Sequence, residues 1–364
     1  MSEYFFIFFL LLILSAGFYY FYDRYFSSKK KAESELYVEA LKDLLDNKQE
    51  SAFTKLRQVV AEDSTNLDAY LLLGKILRDH KKPQQALQVH KDMTLRTDLN
   101  AEDKTKVLKE LFYDYSALDD FDQAIAALKE MTTIRPKDRW ALVNLLDMQR
   151  QAQRWDEAYE TAVLLLKVEQ NKSKKPLALF KYHQGLELYK KREYHKARLL
   201  FKEALGFDPK YSDAYLRIGD SYIEENRVED AVNFWNKLIS SVPEKGDLVI
   251  ERLQKALFEL GRFGEITNIC ENILAHSPKN KTARYCLAAF YEKKGDSDLA
   301  EDILNSLIDD NPEDTKSIVE LIRIYLEKGE NKKIETLVKD VDQRLLKRNR
   351  ITPPRVADTE IAGT

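Results

Sequence analysis

The sequence predicts an all-α protein in which about nine helix-turn-helix units form a solenoid behind one transmembrane helix. Three observations predict it. A pattern of small, aromatic and branched residues returns about every 34 positions. The 364 residues contain only 11 Gly and 9 Pro, too few for a chain cut into many strands by turns. One stretch near the N-terminus carries no charge over a bilayer's width.

The uncharged stretch is Tyr4 to Tyr22, YFFIFFLLLILSAGFYYFY, preceded by a short outer segment, 1–3. As a helix it spans roughly 28 Å, enough for the hydrocarbon core. A cleaved signal peptide fits less well, because Ser2 and Glu3 stand where basic residues belong and aromatics occupy the place of a small-residue cleavage site. The segment 23–32 is a basic juxtamembrane linker whose Arg24, Lys29, Lys30 and Lys31 have no counterpart before the span. The positive-inside bias therefore puts the N-terminus outside and the large domain in the cytoplasm.

From 33 to 348 the chain repeats. Its clearest unit is Ser212 to Lys245, where Tyr215, Ile218, Gly219 and Tyr222 fall at helical spacing. After a polar turn at Glu225 to Arg227 come Ala231, Trp235 and Leu238, and Pro243 stops the second helix. Gly219 and Ala231 are small where two helices approach closely. With Gly219 as position 8, units start near Glu33, Leu67, Thr105, Arg139, Ala178, Ser212, Asp247, Lys281 and Thr315. The small position of the second helix is Ala52, Ala86, Ala124, Ala158, Ala197, Ala231 and Ala300 in seven units, with Ile266 and Ile334 in the other two. This pattern resembles the tetratricopeptide repeat, which implies a right-handed superhelix. Two long spacings mark loops, at Asp98 to Lys104 and at Asn171 to Pro176, and the units at Asp247 and Thr315 match poorly. The segment 349–364, with Pro353 and Pro354, reads as a disordered basic tail.

Little in the composition points to chemistry. A net charge of -3 from 58 basic and 61 acidic residues gives no reason to expect nucleic acid. Cys270 and Cys286 lack any CxxC partner and read as core thiols. His80, His90, His183, His195 and His276 form no HExxH pair, His90 falls at a second-helix packing position, and no glycine-rich phosphate loop occurs. The expectation is no enzyme, no metal and no cofactor. What remains is a binding surface. By analogy with the repeat, positions 2, 5, 9 and 12 face a groove, which presents Lys75 and Arg78, Lys109 and Tyr113, Trp140 and Arg150, then Tyr182 and Tyr189. Cationic and aromatic side chains alternate there, as suits a peptide or protein flank. The Lys-then-Asn clamp that such repeats use for heat-shock chaperone tails is missing, since those places hold Leu71 and Lys75, Lys109 and Tyr113, Val143 and Asp147.

The order of features resembles the bacterial lipopolysaccharide assembly protein B family. The likeness is carried by LLLGKILRDHKKPQQALQVHKDM from Leu71 to Met93, with Gly74, Arg78, Ala86 and His90 in register. It continues through Phe112, Asp114, Tyr115, Asp122 and Ala124, then Leu145, Leu146, Trp155 and Ala158. That family typically ends in a rubredoxin-like metal knuckle with two CxxC pairs, which this sequence lacks, so metal binding is not carried over. The resemblance implies a single-pass inner-membrane adaptor that presents the deacetylase of lipid A synthesis to a membrane-bound AAA-type zinc protease. The alternative is a general membrane-tethered scaffold for another envelope, secretion or cell-division complex. A homodimer is compatible with either.

Overall fold

The computed structural model describes residues 15, 18–20, 35–97 and 99–351, with the backbone alone for 345–351. The predicted span 4–22 falls almost wholly outside the described residues, as do Arg24, Lys29, Lys30 and Lys31. Among the described residues no helix is long and apolar enough to cross a membrane.

From residue 35 onward the described chain is helical and built of pairs. The first four are α1 (35–45) with α2 (Gln49–Glu62), α3 (Leu67–Asp79) with α4 (Pro83–Thr94), α5 (Ala101–Ala117) with α6 (Phe121–Ile134), and α7 (Arg139–Gln151) with α8 (Trp155–Val168). Then follow α9 (Ala178–Lys190) with α10 (Tyr194–Phe207), α11 (Ser212–Ile223) with α12 (Val228–Ser241), and α13 (Ile250–Glu259) with α14 (Glu265–His276). Last come α15 (Lys281–Lys294) with α16 (Ser297–Asp310), and α17 (Thr315–Lys328) with α18 (Asn331–Ile351). The contacts divide the chain into two units, Met1–Lys172 and Ser173–Thr364.

Two local devices set the pairs. The seven alanines at the small position of the second helix are all fully buried. In three pairs a glycine on the first helix admits a ring from the second: Gly74 receives His90, Gly185 receives Phe201 and Gly219 receives Trp235, and a Cβ on any of them would stand under 3.0 Å from that ring. Each turn between paired helices then closes on one residue with positive φ. These are Asn47, Lys81, Asp119, Gln153, Arg192 and Asn226, then Gly261, Gly295 and Gly329. The residue after it donates its N–H back across the turn, as Lys82 does to the Leu77 carbonyl at 2.9 Å and Asp296 to that of Tyr291 at 2.8 Å. This is the Schellman closure of a helix end.

Structure and sequence reading part in two places. The stretch Asp98 to Lys104, read as a loop, is helical from Ala101, because Asn100 Oδ1 accepts from the N–H groups of Glu102 and Asp103 at 2.8 and 2.9 Å. A side-chain cap and two acidic residues in the first turn extend α5 to 17 residues. The poorly matching unit at Asp247 begins with a 3-10 turn, Pro243–Val249, so that α13 has only 10 residues.

Candidate functional site

In the first unit α3, α5 and α7 are the first helices of successive pairs, and four of the predicted groove residues meet across them. Arg78, half-buried near the end of α3, donates to Glu110 Oε2 at 2.7 Å and to Asp114 Oδ1 at 2.6 Å. Its guanidinium carbon stands 5.2 Å from the centre of the Tyr113 ring. Tyr113 lies 5.8 Å from Trp140, and Lys109 Nζ sits 4.7 Å over the Trp140 ring. Burial lowers the pKa of Arg78, but its hydrogen bonds to Glu110 and Asp114 outweigh it and leave the pKa raised.

Beneath this patch lies a buried polar cluster. Asp114 and His90 are both fully buried. His90 Nδ1 is hydrogen-bonded to Asp114 Oδ2, and its Nε2 lies 3.2 Å from the Leu71 carbonyl oxygen. Asp114 thus holds Arg78 from one side and His90 from the other. The cluster anchors the patch; its groups are consumed by one another. Lys75, one turn before Arg78, and Arg150, at the end of α7, are exposed. They are the cations of the row left to face solvent.

In the second unit Tyr182 is buried, with ring neighbours Phe201 at 5.6 Å and Tyr211 at 5.2 Å, and belongs to the packing between α9 and α10. Tyr189 is half-buried, edge-on to Tyr194 at 5.2 Å with Arg217 5.9 Å over it. Its pKa is pushed up to about 12, first by burial and then by Glu224 and Asp220. Cys270 and Cys286 are free and buried, and Gln254 Nε2 donates to Cys286 Sγ at 3.1 Å. Hydrogen bonding with Cys286 and burial raise the Cys270 thiol. Among the described residues no group of His, Cys, Asp and Glu could hold a metal ion.

One feature escapes the sequence reading. Between α13, the start of α14 and α15 runs an apolar groove of about 750 Å³. Lys255 and Phe258 line it, and these are positions 9 and 12 of the unit at Asp247. Extending the same positional frame to that unit finds them; the poor match of the unit hides them.

Paired helices closed by one recurring turn, with no strand among the described residues, define a helical-repeat protein, and the tetratricopeptide-repeat model matches residues 188–247 and 257–323. The particular likeness is to lipopolysaccharide assembly protein B of Escherichia coli strain K12, with 23% identity over 265 residues, 73% of this chain and 68% of that protein. Among solved structures, a tetratricopeptide repeat protein from Parabacteroides merdae ATCC 43184 is 15% identical, covering 71% of this chain and 99% of its own at a TM-score of 0.36. The TPR2AB domain of yeast Sti1 in complex with pHSP90 is 13% identical, covering 74% and 98%, at a TM-score of 0.39.

Proposed function

We propose that the protein is a non-enzymatic, single-pass adaptor of the bacterial inner membrane, with its repeats in the cytoplasm, that regulates lipopolysaccharide synthesis by presenting the lipid A pathway deacetylase to a membrane-bound AAA-type zinc protease. The observation that carries this reading is the likeness to lipopolysaccharide assembly protein B along 265 residues. The patch of Arg78, Lys109, Tyr113 and Trp140, with Lys75 and Arg150 exposed on the same helices, is the client-facing surface of the first unit. In the second unit the half-buried Tyr189 marks its own client-facing surface, and Tyr182 is packed in the core.

The mechanism is effective concentration. An anchored adaptor holds client and protease on one membrane surface, so a weak grip on the client is enough to commit it. Deleting the gene is expected to lengthen the half-life of the deacetylase and raise lipopolysaccharide content. Mild crosslinking followed by affinity capture is expected to return protease and deacetylase together. Unchanged deacetylase turnover, or a bound set dominated by secretion or division proteins, overturns the pathway assignment.

A further inference from the structure

The groove of the second unit is shaped for a different contact from the cation-aromatic patch of the first. Its floor is Leu257 and Ile266, both buried, with Phe290 beside them. Its walls are Phe258 and Phe263, packed edge to face at 5.1 Å, yet 70% and 51% exposed. Two aromatic rings left in water beside a formed apolar floor gain hydrophobic free energy when a partner covers them. Cover must come from an apolar side chain, and a space of this size accepts one large anchor and its neighbours.

The rim says what chemistry accompanies that anchor. Lys255 on α13 and Lys293 on α15 are exposed and carry no ion pair within the described residues, whereas Lys294 is held by Asp296 at 2.9 Å. Glu259 is the single acidic residue among those lining the groove. The arginines of α13 and of the turn after it are paired, Arg252 with Asp220 and Arg262 with Glu229 and Glu265. Two unpaired cations on two helices of one aromatic-lined groove match carboxylates set apart along a chain. An amphiphile with one headgroup offers a single charge and leaves one lysine without a partner.

We infer that this groove binds an acidic peptide segment of a client protein, seating a large aromatic or aliphatic side chain between Phe258 and Phe263 while flanking Asp or Glu residues pair with Lys255 and Lys293. The inference rests on the adaptor reading and names the client chemistry at a second site. Exposed aromatics in a preformed groove are where binding energy concentrates. The flanking charges supply orientation and on-rate.

The test is selection of a random 12-residue display library on the purified full-length chain, followed by fluorescence polarisation with the synthetic consensus peptide. The expected consensus is an aromatic or leucine flanked by Asp or Glu. Phe258→Ala should weaken the peptide by at least about tenfold, some 1.4 kcal/mol. Lys255→Glu with Lys293→Glu should abolish binding of the acidic peptide and admit its lysine-flanked counterpart. All three positions are exposed, and circular dichroism of the variants checks that helix content is kept. No enriched consensus, a consensus without acidic residues, equal binding to Phe258→Ala, or saturation by dodecanoate in place of peptide overturns the inference. Because the selection uses the purified chain alone, its failure leaves deacetylase turnover in cells to judge the pathway assignment separately.

Discussion

Asp114 shows how much one buried side chain organises. It is fully buried, accepts from Arg78 at 2.6 Å and is hydrogen-bonded to His90, so two groups from two other helices depend on it. Removing one partner of a buried charged network is costlier than the network is worth, because the remaining charge stays desolvated. Asp114→Ala is expected to destabilise the first unit by about 3–5 kcal/mol in urea unfolding. Glu110→Ala, which leaves Arg78 half-buried with Asp114 still in place, should cost about 1 kcal/mol by the same measurement. Equal losses would mean that Asp114 has no special role. His90 belongs to the same logic from the packing side: Gly74 leaves no Cβ in the space that the imidazole fills. The spacing from Gly74 to His90 equals that from Gly219 to Trp235, so the ring position was legible in the sequence. The polar partnership with Asp114 was not, because it joins residues 24 apart in adjacent repeats and has no recurring signature.

At the scale of the element, the turn within each pair is the most regular object in the molecule. Nine times among the described residues the chain reverses through one left-handed residue, and six of those nine residues carry side chains. Left-handed backbone costs an L-residue about 1–2 kcal/mol, less for Asn and Asp, whose short polar side chains bond locally. The turn residues therefore differ in strain. Arg192→Gly relieves that strain, partly offset by the greater freedom of glycine in the unfolded chain, and should be neutral or stabilising by up to about 1 kcal/mol. Gly295→Ala, at φ 93°, imposes it and should destabilise by about 1 kcal/mol or more. Nothing lies within 4 Å of a Cβ placed on Gly295, so packing contributes nothing to that loss. Chemical denaturation of the two variants is the measurement, and a loss for Arg192→Gly as large as that for Gly295→Ala would contradict this account. Because these residues range over Asn, Lys, Asp, Gln, Arg and Gly, composition conceals a turn that position alone would have revealed.

For the whole molecule, the repeat frame was legible because burying alanine at one place in seven of the nine pairs leaves a period of about 34 in the sequence. The partner-facing residues were legible only in part, since Arg78 and Lys109, read as groove-facing cations, are engaged by neighbouring repeats. That is one case of a wider arrangement. Ion pairs link residues of adjacent repeats in each unit: Lys106 with Asp68, Arg154 with Asp122 and Lys129 with Glu157 in the first, Arg252 with Asp220, Arg262 with Glu229 and Arg323 with Glu292 in the second. Each has at least one partner more than a third exposed and is worth about 0–1 kcal/mol, and salt screens it. Their placement matters more than their individual strength, because stability in a repeat protein is a sum of repeat terms and neighbour terms, and these pairs enter the neighbour terms. Raising NaCl from about 0.05 to 0.5 M shortens the Debye length about threefold, so neighbour coupling should fall while the apolar cores hold. The urea transition is expected to broaden and its midpoint to move down slightly. A transition that kept its slope and midpoint would show that coupling between repeats is carried by apolar contact alone.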